Sequence, residues 1–185
     1  MKTVENHREK TAIRIGLALL LVAMLIPIPA GAEDGDLRAE LAAVRKATAQ
    51  FHSVEAAEAA GYELGYVNGD DVRIITGCIA HPTNGAMGYH YFNKELVDDL
   101  TIDPLKPEGL VYAPTPSGKL KLVAVEYVVP GEKSNPPGVS EAPSAFGMDM
   151  HILVPAVGFY ILHAWVWEHN PSGMFNDWNP RVTCP

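Results

Sequence analysis

Polar and apolar positions change rhythm three times along the chain. Residues 1–14 are mostly polar and carry Lys2, Arg8, Lys10 and Arg14, and residues 15–28 are mostly apolar. Helix-breaking Pro27 and Pro29 and then small Ala30, Gly31 and Ala32 follow. The apolar run falls short of the ~20 residues that span a bilayer. Basic head, apolar middle and small-residue end are the three parts of a cleavable signal peptide. Residues 1–32 are expected to be removed after Ala32, leaving 33–185 as one exported globular domain, secreted or periplasmic, with no stable membrane insertion. The competing reading is an uncleaved N-terminal membrane helix.

From residue 36 the rhythm is helical. Leu37, Leu41, Val44 and Thr48 recur with charges between them, predicting an amphipathic helix over 36–50 capped by Asp36. Ser53 and Gly61 bracket a run of alanine and glutamate and predict a second, short helix. Beyond Gly61 the pattern turns to β-branched, aromatic, glycine and proline residues. Strands are expected at 73–75 and 87–92, and Asn93 should cap a helical turn reaching Leu100. Residues 110–113 and 119–129 flank the turn sequence PTPSG and predict a hairpin. Residues 130–147 are rich in proline and glycine and read as a loop, either an inert excursion or a lid over a cleft. Residues 159–168 form the most apolar strand candidate. The fold class is therefore α+β: N-terminal helices packed on a mainly antiparallel sheet that could curl toward a barrel.

Charge then narrows the partners. The full chain has a formal charge of -8; losing four bases and two acids with the signal peptide leaves ten bases against twenty acids. Nucleic acids and anionic membranes both need concentrated positive charge and are poor partners for such a chain. A small molecule or a metal ion remains. The two cysteines, Cys78 and Cys184, are expected to form one disulfide in an oxidising compartment. Closing so long a loop could stabilise the fold by about 4–5 kcal/mol in the chain-entropy model.

The candidate chemistry begins with a breach of pattern. On a strand over 122–129, Glu126 would share its face with Leu122, Ala124 and Val128. A carboxylate on an apolar face needs a metal, a cation or a hydrogen-bond donor. Without a metal its partners would be Arg73, Arg181 or a tyrosine hydroxyl. His163 lies mid-strand, and continued alternation would set it beside Trp165, Trp167 and His169. His169 would stand roughly 20 Å away on an extended strand, so one ion could not hold both, and it is assigned to the turn that follows. His90 sits between two tyrosines near Gly85 and Gly88, which allow close approach of another group. His81 reads as a loop histidine, while His52 and His151 have uninformative neighbours.

Together His90, Glu126 and His163 would offer two imidazoles and a carboxylate from three strands, a donor set for zinc, iron or copper. Zinc would support hydrolysis and a redox metal oxygen chemistry. No HExxH, CxxC, GxSxG, Walker or dinucleotide motif is present. Haem would require an axial histidine without a CxxCH attachment site. Two functional readings follow: an exported metal-binding protein able to act as a metalloenzyme, with the 130–147 loop limiting access, or a non-catalytic cell-envelope binding or structural protein with no metal. A small apolar ligand on the tryptophan side is a third.

The blocks MGYHYFN at 87–93, VAVEY at 123–127 and LHAWVWEHNPSGMFNDWNP at 162–180, with Cys184, resemble a group of exported bacterial proteins. The resemblance runs from about Thr48 to Cys184 and implies a shared exported domain. It carries over no site residue.

Overall fold

The computed structural model describes residues 31–185, so the expected signal peptide lies outside the described residues except for Gly31 and Ala32. Helix α1 spans Gly31–Thr48 and runs through a 3-10 turn, Ala49–His52, toward α2, Val54–Ala59. The expected cap at Asp36 is not a helix end. With no proline between Pro29 and Thr48, nothing stops the helix from running back to Gly31. Ser53 does cap α2, its hydroxyl accepting from the Ala56 amide, and Gly61 takes a positive φ of 89° just beyond.

Short strands β1 (Tyr62–Leu64), β2 (Tyr66–Val67), β3 (Arg73–Ile74) and β4 (Ile79–His81) lead into β5 (Gly85–Asn93). Asn93 caps α3 (Lys94–Asp98) by accepting from two amides, as expected. The predicted hairpin is present as β6 (Gly109–Pro114) and β7 (Leu120–Pro130). Then come β8 (Ser144–Ala145), β9 (Met148–Asp149), β10 (His151–Ile152) and β11 (Phe159–Ala164).

The main sheet is antiparallel in the order β1-β5-β6-β7-β11-β10, with β4 also paired to β5. It is not a barrel. Closure requires the two edges to bond, and here they are short segments, three-residue β1 and β4 and two-residue β10, that do not pair with each other.

One face of the sheet is covered by the helices. Leu41, Val44, Phe51 and Ala57 pack there against Tyr91, Leu110, Tyr112, Val125, Tyr127 and Leu162. The opposite face holds two apolar clusters: Val111, Ala124, Trp165 and Val182 in one, Phe92, Val128, Phe159 and Ile161 in the other. The C-terminal segment lies against this second face, where Asn179 exchanges backbone hydrogen bonds with Ala86. The Cys78–Cys184 disulfide ties its end to the start of β4, with the Cα atoms 5.7 Å apart. Among the described residues no helix is long and apolar enough to cross a membrane.

Two face assignments change. The register of β6 against β7 jumps from Val111↔Ala124 to Tyr112↔Leu122, a bulge at Val123. Leu122 therefore joins the helix-side cluster while Ala124 and Val128 stay with Glu126. Likewise β11 ends at Ala164 rather than at residue 168. The Trp165 amide bonds to Met174, and Trp167 swings to the helix side, donating its indole N–H to Thr48. The 130–147 loop also turns away. Val139, Ala145 and Phe146 pack with the helix-side cluster, and Phe146 meets Tyr127 at 5.3 Å, so the loop is no lid over the opposite face.

Candidate metal centre

Three strands bring the site together. His163 on β11 pairs directly with Glu126 on β7, Glu126 pairs with Gly109 on β6, and Gly109 pairs with Phe92 on β5, two residues from His90. His90 and Glu126 must therefore meet across β6, and Gly109 makes this possible. A Cβ at that position would stand 3.1 Å from Glu126 Cβ and 3.3 Å from its Oε2. The triad sits in the seam between the two apolar clusters, Glu126 between Ala124 and Val128, His163 between Ile161 and Trp165.

The closest contacts form a triangle in which each carboxylate oxygen faces a different imidazole; one ligand atom from each residue lies within 4.8 Å of the others. His90 Nε2 lies 3.4 Å from His163 Nε2, Glu126 Oε1 is 3.6 Å from His163 Nε2, and Glu126 Oε2 is 3.7 Å from His90 Nε2. Donors at about 2.0–2.2 Å from a tetrahedral ion stand about 3.3–3.6 Å apart. The side chains are 2%, 5% and 0% exposed for His90, Glu126 and His163. The group could hold a metal ion.

What the protein supplies around the triad fits the same reading. His163 Nδ1 faces Asp177 Oδ1 at 3.4 Å, and Asp177 Oδ2 reaches His151 Nε2 at 2.9 Å. The Gly88 backbone lies close enough to His90 to favour its proton. An Nδ1–H tautomer on each ring leaves both Nε2 lone pairs aimed into the triangle, the usual second contact of a ligating histidine. The rings are held by stacking, His90 on Phe92 and His163 on Trp165. Still, His90 Nδ1, His163 Nδ1, Asp177 Oδ1 and Glu126 Oε2 are buried without a hydrogen bond of good geometry. Buried polar atoms are rarely left so, and of these four Glu126 Oε2 is the one that faces the triangle.

The electrostatics point the same way. Burial, helped by the neighbouring His163, pushes the His90 pKa down to about 3, so the ring is a neutral donor. Burial likewise lifts Glu126 to about 7, against the pull of His163 and with a push from Asp177. For His163 burial works downward, but the Glu126 and Asp177 carboxylates outweigh it and raise its pKa. Burial opposes charge on Asp177 too, yet contacts with His163 and His151 hold it below the usual range. A cation at the triangle would offset the Glu126 charge that burial disfavours.

Neither arginine offered as a partner reaches Glu126. Arg73 is paired with Glu63 and Arg181 with Glu168. Three other described histidines stand apart from the triad. His81 accepts from the Thr83 and Asn84 amides, His52 packs edge-on against Trp167, and His169 is exposed. Asp177 and Gly109 escaped the sequence reading. Asp177 looks like an ordinary turn aspartate in NDWNP. Gly109 carried a usable signal, since a glycine inside a strand marks close approach.

Comparison with protein-family models, with curated proteins and with solved structures returned no match.

Proposed function

We propose that this is an exported metal-binding protein in which His90, Glu126 and His163 hold one divalent transition-metal ion, with Asp177 orienting His163. The observation that carries this is the buried triangle of two imidazole nitrogens and a carboxylate, 3.4–3.7 Å on a side, with no arginine from the expected pair at the carboxylate. Export is supported by the N-terminal sequence pattern and by the disulfide. The blocks on which the resemblance to exported bacterial proteins rests each contribute a residue to this centre: His90, Glu126, and His163 with Asp177.

Three protein ligands leave a coordination position open, the arrangement of a catalytic rather than a structural site. Two histidines and one carboxylate suit zinc or iron(II), which would supply an activated water or redox chemistry respectively. The chain's own part is to exclude bulk water, hold the two Nε2 atoms in place and provide one negative charge.

The test is elemental analysis of the protein purified without a histidine tag. About one equivalent of metal is expected, absent from Glu126→Gln and His163→Ala variants that keep the disulfide and the far-ultraviolet spectrum of the parent. Metal at 100 times its Kd should stabilise the metal-free protein by about 2.7 kcal/mol. A metal-free preparation whose Tm ignores added zinc, iron(II) and copper would sink the reading in favour of the non-catalytic one.

A further inference from the structure

The geometry points to the ligand class of this centre: we propose that an apolar cleft feeds its open side and admits a small uncharged molecule carrying one metal-binding donor atom. This rests on the metal reading above. The cleft, about 80 Å³, is walled by Ile75, Ile79, Met87, Phe92, Val157 and Phe159, with His90 and Glu126 as its polar end. His163 does not line it and is fully buried. The open side of the triangle is therefore the edge between His90 and Glu126.

Three features set the ligand. No charged or hydrogen-bonding side chain other than His90 and Glu126 lines the cleft. An anion entering it would shed its hydration with nothing in exchange along the walls, whereas a neutral apolar molecule gains from burial. A single water needs about 10–15 Å³ on the same measure, so the cleft takes roughly five to eight non-hydrogen atoms. Finally, the wall is built under strain. Ile75 is β-branched yet held at a φ of 58°, a conformation that persists only where the surroundings impose it and that gathers at ligand-binding sites. The mouth lies at the turn 154–158, closed by amides of Val157 and Gly158 on the Val154 carbonyl, where Val154 is 51% exposed.

A second, larger hollow lies at the surface beside α3, but its Arg73, Glu63, Lys94 and Asp98 already pair with one another. It offers no unpaired charge of theirs to a ligand.

The test uses the protein loaded with cobalt(II), which accepts the same nitrogen and oxygen donors and reports its ligands in the visible spectrum. Pyridine is the probe: neutral, six non-hydrogen atoms, one donor nitrogen. It should shift the cobalt bands saturably, while azide, a smaller anionic donor, leaves them unchanged at the same concentrations. Val157→Trp, which fills the cleft, should keep the cobalt and weaken pyridine at least tenfold; Val154→Trp at the exposed rim serves if the first variant does not fold. Azide binding as tightly as pyridine, a cobalt spectrum that pyridine does not alter, or a pyridine response untouched by the tryptophan would overturn the proposal while leaving the metal site standing. Cobalt that fails to bind, or that Glu126→Gln retains, overturns the metal reading and this proposal with it.

Discussion

The two faces of the sheet bury polar groups in opposite ways. On the helix side three buried tyrosine hydroxyls each end on a backbone carbonyl: Tyr62 on Pro107 at 2.8 Å, Tyr112 on Phe51 at 2.6 Å, Tyr127 on Pro104 at 2.8 Å. Those contacts join the sheet to the segments packed around it and leave the hydroxyls nothing more to bind. On the other face His90, Glu126, His163 and Asp177 each retain a buried polar atom without a hydrogen bond. A polar group with its partner present is structural; Glu126 Oε2, facing an imidazole without a hydrogen bond, is the opening on which the metal proposal rests.

Glu108 qualifies the contrast, because it is a buried carboxyl outside the triad whose Oε1 also lacks a hydrogen bond. Its Oε2 accepts from the Val128 amide at 3.1 Å, where β6 has not yet begun and no backbone partner is at hand. Burial above all lifts its pKa from 4.5 to about 8. The folded protein thus keeps a proton that the unfolded chain releases. Its contribution to stability is complete below about pH 4.5 and drains away as pH rises through about 8. The shift corresponds to roughly 5 kcal/mol. Denaturant unfolding of the metal-free protein should accordingly show Glu108→Gln flattening the fall in stability between pH 5 and 9, with metal content unchanged. A parallel slope in parent and variant would show that Glu108 is ionised throughout.

A smaller contrast compares the faces directly. Tyr112→Phe strands the Phe51 carbonyl and should cost about 1–3 kcal/mol of stability without changing metal affinity. Asp177→Asn should do the reverse, weakening metal binding about 10–100-fold by calorimetric titration with little effect on the Tm of the metal-free protein. If the two variants behave alike, the faces do not differ in kind.

The smallest effect belongs to Gly109→Ala. Its φ is not in the left-handed region, so the backbone tolerates alanine, but the new methyl meets Glu126 at 3.1–3.3 Å and the Phe92 ring at 3.2 Å. Metal affinity should fall by less than in Asp177→Asn, while stability barely moves. An unchanged affinity would mean that the carboxylate has room to spare.

Much of this was legible along the chain. Leu41, Val44 and Thr48 are buried as their spacing requires, Ser53 and Asn93 cap the helices they precede, and the β6–β7 hairpin closes around PTPSG. Each depends on residues within a few positions of one another, which is the range over which periodicity and capping act. Glu126 stood out for the same local reason, a charge on an apolar strand. The errors arose where alternation was carried past a break. The bulge at Val123 moved Leu122, and the end of β11 moved Trp167, because a one-residue change in register reverses every face beyond it.

Local pattern alone thus determined the helices, the hairpin, the antiparallel character and the three residues worth testing as ligands. Only the tertiary structure decided that their ligand atoms lie within 4.8 Å of one another, that Gly109 leaves the space between them, that Asp177 reaches His163 from a distant turn, and that an apolar cleft rather than the 130–147 loop lies beside His90 and Glu126. Strand order and register set those distances. They are properties of how separated segments pair, and the spacing of residues within any one segment does not contain them.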